Sequence, residues 1–183
     1  MRNTARPSWA KRTDAQLKSR AGHRSCTALC SDLAVSARRV RSDRARCTGP
    51  SSQSVPHRQE YTETVGYRID GPNRSAIFIP DIDKWEFWAT DIRDLIRSVD
   101  YALLDAAFFA DGELKNRDMS VIKHPHVAES MDLFDELSEE ERSRVIFIHM
   151  NHTNPLLIDG SPEQAEVLRR GFRFAIEGMR LEM

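Results

Sequence analysis

The sequence predicts an α/β fold confined to residues 58–183, and three observations predict it. All eight Phe, all three Tyr and every Ile lie beyond residue 58, so only that stretch can build a core. Within it, short apolar runs of strand length alternate with segments whose apolar residues recur at helical spacing. Successive strand-like runs also end in Asp or His, the pattern expected where ligands meet the carboxyl ends of strands in an open α/β sheet.

The elements follow in order. Tyr61 to Ile69 alternates and is rich in β-formers, which predicts a strand; Asp70-Gly71-Pro72-Asn73 reads as a turn, and Ser75 to Ile79 as the returning strand of a hairpin that stops at Pro80-Asp81. Trp88 to Val99 places Ile92, Leu95, Ile96 and Val99 on one helical face, with Asp91, Arg93, Asp94 and Arg97 on the other. Tyr101 to Leu104 is a buried strand ending in Asp105, and the polar stretch Asp111 to Lys123 is a loop long enough to form a functional rim. Val127, Met131, Phe134 and Leu137 make a second helical stripe, and Ser138-x-x-Glu141 offers a capping box for a short turn after it. Val145 to Ile148 is a further buried strand that delivers His149. Ser161-Pro162-Glu163-Gln164 combines an N-cap with proline at the first helical position, predicting a last helix through about Met179.

Residues 1–57 are expected to be a disordered basic segment. Through residue 58 the chain carries 13 of its 27 Lys and Arg against three acids, a net +10, while the remainder is −11, so the near-zero total of −1 is a cancellation. Three accounts of this segment stay open. It has the Arg- and Ser-rich, acid-poor composition of a transit peptide without its amphipathic periodicity. It has the charge of a nucleic-acid arm, but Trp9 is its only stacking aromatic. Or it is translation from a wrong start or frame, joined to a genuine domain between Val55 and Tyr61. Its three cysteines, Cys26, Cys30 and Cys47, are read as free thiols in preference to a zinc site with His23. The domain therefore has no cysteine chemistry. No apolar run reaches the roughly 18 residues of a membrane helix, which excludes an integral helical membrane protein; the expected location is cytoplasmic.

The chemistry is expected at the strand ends. Asp81 and Asp83 follow the second strand, Asp105 the third, and His149, Asn151, His152 and Asn154 the fourth, while His124-Pro125-His126 precedes a helix. Imidazole with carboxylate suits zinc or another borderline divalent metal, and the reaction such a site supports is hydrolysis by metal-activated water. There is no nucleophile elbow, phosphate loop or dinucleotide fingerprint.

Five stretches, Gly66 to Ile69, Ile77 to Trp85, Leu103 to Asp105, His124 to His126 and Phe147-Ile-His-Met-Asn-His-Thr-Asn-Pro155, together resemble the carboxyl half of the metallo-β-lactamase fold hydrolases. The likeness covers about residues 60 to 180 and lies nearest the branch that includes the pyrroloquinoline quinone biosynthesis B proteins. It implies half of an αββα sandwich, with Asp81 as the carboxylate that bridges two metals, His149 as a Zn2+ ligand and, by analogy with the ribonuclease Z branch, His126 as a catalytic proton-transfer group. Asp105, His124, Asn151, His152 and Asn154 are the further candidates. The family's His-x-His-x-Asp-His signature is absent from the sequence. With two assigned ligands, the resemblance implies a truncated hydrolase that binds zinc weakly and is inactive as this chain, acting in its full form on an unidentified small molecule. It also implies an uncovered apolar sheet face, to be covered by self-association or a partner. The rival reading is a non-catalytic carrier or accessory protein of pyrroloquinoline quinone biosynthesis; a nucleic-acid binder ranks behind both.

Overall fold

The computed structural model describes residues 50–57 and 63–183. Among the described residues six strands form one sheet in sequence order: β1 (Ser51–Val55), β2 (Thr64–Asp70), β3 (Ser75–Ile79), β4 (Tyr101–Asp105), β5 (Val145–Ile148) and β6 (Arg173–Phe174). The first three are antiparallel, and β3 through β6 run parallel. The β2–β3 hairpin closes as expected, with Gly71 N–H donating to the Arg74 carbonyl at 2.8 Å. The crossovers hold the helices α1 (Ile92–Arg97), α2 (Val127–Leu133), α3 (Glu139–Arg142) and α4 (Pro162–Arg169). Among the described residues no helix is long and apolar enough to cross a membrane.

Strand alternation divides the core. Ile77, Ile79, Ala102, Leu104, Val145 and Phe147 point to the helical face, where they pack with Ile92, Ile96, Met131, Phe134, Val167 and Phe172. Ala76, Leu103, Ile146 and Ile148 point to the other face. The sequence reading leaves that second face bare, but Ala175, Met179, Leu181 and Met183 of the carboxyl-terminal segment lie against it. The segment covers it with side chains and no helix.

Local sequence explains where elements start and stop. Asp91 caps α1 by accepting from Arg93 N–H, so the helix begins inside the expected Trp88–Val99 stretch, after a 3₁₀ turn at Trp85–Phe87. The second stripe divides into α2 and a 3₁₀ turn at Phe134–Glu136, after which Ser138 and Glu141 form the expected capping box. The last helix is shorter than the sequence reading has it. It ends at Arg169 because Gly171, at φ 87, closes a Schellman motif: Gly171 N–H donates to Leu168 O at 3.2 Å and Phe172 N–H to Val167 O at 3.1 Å. Phe172 is thereby buried and the chain is returned to the sheet as β6.

The packed region also begins before residue 58. Ser51–Val55 pairs with β2 from Ser51↔Arg68 to Val55↔Thr64, Val55 is 1% exposed, and His57 is buried. The composition of this strand hides it, since Ser51 through Ser54 are exposed at a sheet edge and need no apolar side chains. The expectations for residues 1–49, including disorder and the fate of His23, Cys26, Cys30 and Cys47, lie outside the described residues.

Candidate metal centre

The parallel register of β3, β4 and β5 brings their carboxyl ends to one edge, with Ile79 opposite Leu104 and Asp105 opposite Ile148. Asp81, Asp105 and His149 therefore leave the sheet side by side. His124 reaches them from the loop between β4 and α2. One ligand atom from each of Asp81, Asp105, His124 and His149 lies within 4.8 Å of all the others.

Asp105 organises the group. Its side chain is completely buried; Oδ1 accepts from Ala107 N–H at 2.9 Å, and Oδ2 accepts from Ile82 N–H at 3.1 Å and meets His124 Nδ1 at 2.7 Å. Burial pushes this carboxyl up, but the hydrogen bond from His124 and the charges of His124 and His149 outweigh it and hold Asp105 below the ordinary value. On His124, burial works to lower the imidazole and is likewise overcome, by Asp105 and then by the charges of Asp81 and Asp83, so its pKa is raised. His149 is raised chiefly by the Asp105 carboxylate, against burial. Their 3.7 Å separation is too long for a hydrogen bond and leaves His149 Nδ1 buried without a partner.

His149 sits in the left-handed region at φ 62, a position uncommon for a residue with a side chain and associated with functional sites. Asp81 Oδ1 is also buried and accepts no hydrogen bond, although His57 Nε2 lies 3.3 Å away. Close approach of nitrogen and oxygen without hydrogen-bond geometry is what two ligands of one ion show: bonds of about 2.1 Å in a tetrahedron separate neighbouring ligands by about 3.4 Å. The donor set and its two orphaned atoms therefore fit a divalent cation.

His57 is the site residue that the sequence reading misses. It is 7% exposed, with Nε2 toward Asp81 and Nδ1 3.1 Å from Asp83 Oδ1. Asp83 thus stands behind His57 as Asp105 stands behind His124, the carboxylate–imidazole arrangement that fixes a metal ligand's tautomer. The only sequence signal was Val55-Pro56-His57, a histidine just after one apolar residue in a polar stretch. Its segment is pinned by Asp83 N–H donating to Pro56 O at 2.6 Å, and Trp85 Nε1 donates to Ser130 Oγ at 2.9 Å to brace the Asp81–Trp85 stretch against α2.

The other candidates stand apart from this group. His126 precedes α2, and its backbone N–H donates to Glu129 Oε2 at 3.0 Å. Its ring is buried, with Nε2 unpartnered and Nδ1 3.7 Å from Asp111 and from Glu129. Phe108 stands edge-on to both His124 and His126, at 6.4 Å from each ring. Asn151 Nδ2 donates to Thr153 Oγ1, exposed His152 pairs with Asn151 Oδ1 at 2.9 Å, and Asn154 is buried against the loop after β4.

A family profile described as "Beta-lactamase superfamily domain" matches residues 9–150. The chain belongs to this superfamily. The match begins well inside the basic segment, earlier than the resemblance noted from about residue 60. Among curated relatives, "Coenzyme PQQ synthesis protein B" of Cupriavidus necator is 28% identical over 134 residues, covering 69% of this chain and 43% of that protein. The protein of the same name from Pseudomonas putida is 34% identical over 94 residues, covering 49% and 31%. The 1.98-Å crystal structure of Zn(2+)-bound PqqB from Methylobacterium extorquens superposes with a TM-score of 0.58 at 22% identity, covering 73% of this chain and 50% of that one, which shows a shared fold. The chain thus spans half or less of the length of these relatives.

Proposed function

We propose that this chain forms the metal-ligating part of a beta-lactamase superfamily hydrolase, with Zn2+ as the ion, and that its work lies in the synthesis of coenzyme PQQ. The observation that carries the reading is the convergence of Asp81, Asp105, His124 and His149. Names and likeness of the relatives support the pathway. Asp81, His124 and His149 would hold the ion, with His57 beside Asp81 as a further donor. Asp105 and Asp83 accept from the imidazoles and keep their metal-facing nitrogens directed inward. The expectation of weak zinc binding counts two ligands, Asp81 and His149; with His124 beside them the set would reach the three of a catalytic zinc site. When bound, such an ion supplies Lewis-acid polarisation and a water acidic enough to attack a small-molecule electrophile near neutral pH. His126 is assigned to proton transfer: its buried ring carries an unpartnered Nε2 and stands edge-on to Phe108, as the ring of His124 does.

The test is complementation of a bacterial strain lacking its own coenzyme PQQ synthesis protein B, with coenzyme PQQ measured in the medium. Production restored by the wild-type chain and lost in Asp81→Ala and His149→Ala supports the metal-dependent reading. Equal restoration by those variants supports an accessory role without metal chemistry. No restoration by a folded, zinc-loaded chain contradicts the assignment to this synthesis.

A further inference from the structure

The loop after β5 contains a set of hydrogen bonds that the metal centre does not use, and they converge on Asn154, which is 1% exposed. Its Nδ2 donates to the Ala106 carbonyl at 2.8 Å and reaches the Ala107 carbonyl at 3.5 Å, while Oδ1 accepts from Leu156 N–H at 2.9 Å. The backbone repeats the link, since Asn151 N–H donates to the Ala107 carbonyl at 2.9 Å and Asn154 N–H to the Asn151 carbonyl at 2.9 Å. A second tie joins the Thr153 hydroxyl to the Glu113 carboxylate, whose other oxygen accepts from Phe109 N–H at 2.7 Å. Both ties run from the loop after β5 to the loop after β4.

These are the loops that present His149 and Asp105. Ala107 N–H fixes Asp105 Oδ1 at 2.9 Å, so Asn154 grips the carbonyls of the same short stretch whose amide holds the carboxylate. At the start of its own loop His149 is held at φ 62, a conformation that a residue with a Cβ leaves unless its surroundings enforce it. We propose that Asn154 is a positioning residue that locks the His149 turn onto the Asp105 loop and so fixes the spacing between two arms of the metal centre; this rests on the reading of that centre given above. An amide is needed because the position demands a donor toward Ala106 and an acceptor for Leu156 at once. Aspartate would keep the acceptor, lose the donor and set a negative charge against two carbonyls.

The experiment compares Asn154→Asp with Val167→Ala, a core truncation in α4 away from these loops, in the full chain. The His149 ring resonances are recorded by NMR on metal-free protein at fixed pH, and zinc affinity is measured by competition with a chromophoric chelator. Asn154→Asp is expected to displace the His149 resonances and weaken zinc binding about tenfold or more, in the range set by outer-shell partners. Val167→Ala is expected to lower the melting temperature while leaving both readouts in place. Asn154→Ser, which keeps a capping oxygen without adding charge, gives the same readout should the aspartate variant fail to fold. If Asn154 variants alter His149 and zinc affinity no more than Val167→Ala does, the proposal is overturned. If the wild-type chain takes up no zinc, the metal reading fails separately, and the resonances alone decide: displacement supports the positioning role and persistence refutes it.

Discussion

Replacing Asp105 by asparagine should damage the molecule in two measurable ways. The carboxylate is fully buried and accepts from Ala107 N–H, from Ile82 N–H and from His124 Nδ1. Asparagine keeps one oxygen, which can stay on Ala107, and turns an NH2 group toward Ile82 N–H, donor against donor. An unsatisfied buried amide costs about 1–3 kcal/mol, and loss of the charge-assisted bond to His124 about 1.5–3 kcal/mol more, so Asp105→Asn should lower folding stability by about 2.5–6 kcal/mol. That is a large share of the ~5–15 kcal/mol a domain has. Zinc affinity should fall by about 10- to 100-fold because His124 loses the group that orients it. Urea unfolding in chelator gives the first quantity, and chelator competition on the folded fraction gives the second. A variant within about 1 kcal/mol of wild type, with unchanged zinc affinity, would refute the placement of Asp105 as the organising group.

His57→Ala should reduce zinc affinity in the same competition assay, whereas His126→Ala should spare metal content and slow any metal-dependent turnover; loss of zinc from the His126 variant alone would reverse those roles. The raised pKa of His124 and of His149 means that each contributes metal-free stability below pH 6.5, which is lost as pH rises through the folded-state values above 6.5. Zinc competes with those protons, so added zinc should raise the melting temperature more at pH 8 than at pH 6, as differential scanning fluorimetry would show. Gly171→Ala places a Cβ at φ 87 in the Schellman motif after α4 and should cost about 1–2 kcal/mol, read from urea midpoints.

What was legible in the sequence divides along physical lines. Strands β3, β4 and β5 are contiguous apolar runs because both faces of the sheet are covered there, and their ends announce Asp81, Asp105 and His149 directly. Strand β1 was not legible, since an exposed edge places no demand on side chains beyond Val55, and His57 was hidden with it. The early end of α4 was readable in principle: Gly171 is a helix-stop residue, but the apolar residues after it prolong the helical pattern into what is β6. Choosing between His124 and His126 needs the fold, because two rings one proline apart in His-Pro-His are distinguished only by which of them the Asp105 carboxylate meets.

X-ray absorption at the zinc edge of the zinc-loaded full chain distinguishes a metal held at the strand ends from one held by cysteine. One stoichiometric zinc is expected, with a first shell of nitrogen and oxygen only, including imidazole scattering, and loss of that zinc in Asp81→Ala. Zinc ligated by sulfur would place the metal on Cys26, Cys30 or Cys47, and that result, or a first shell unchanged by Asp81→Ala, would contradict the assignment of the centre to the strand ends.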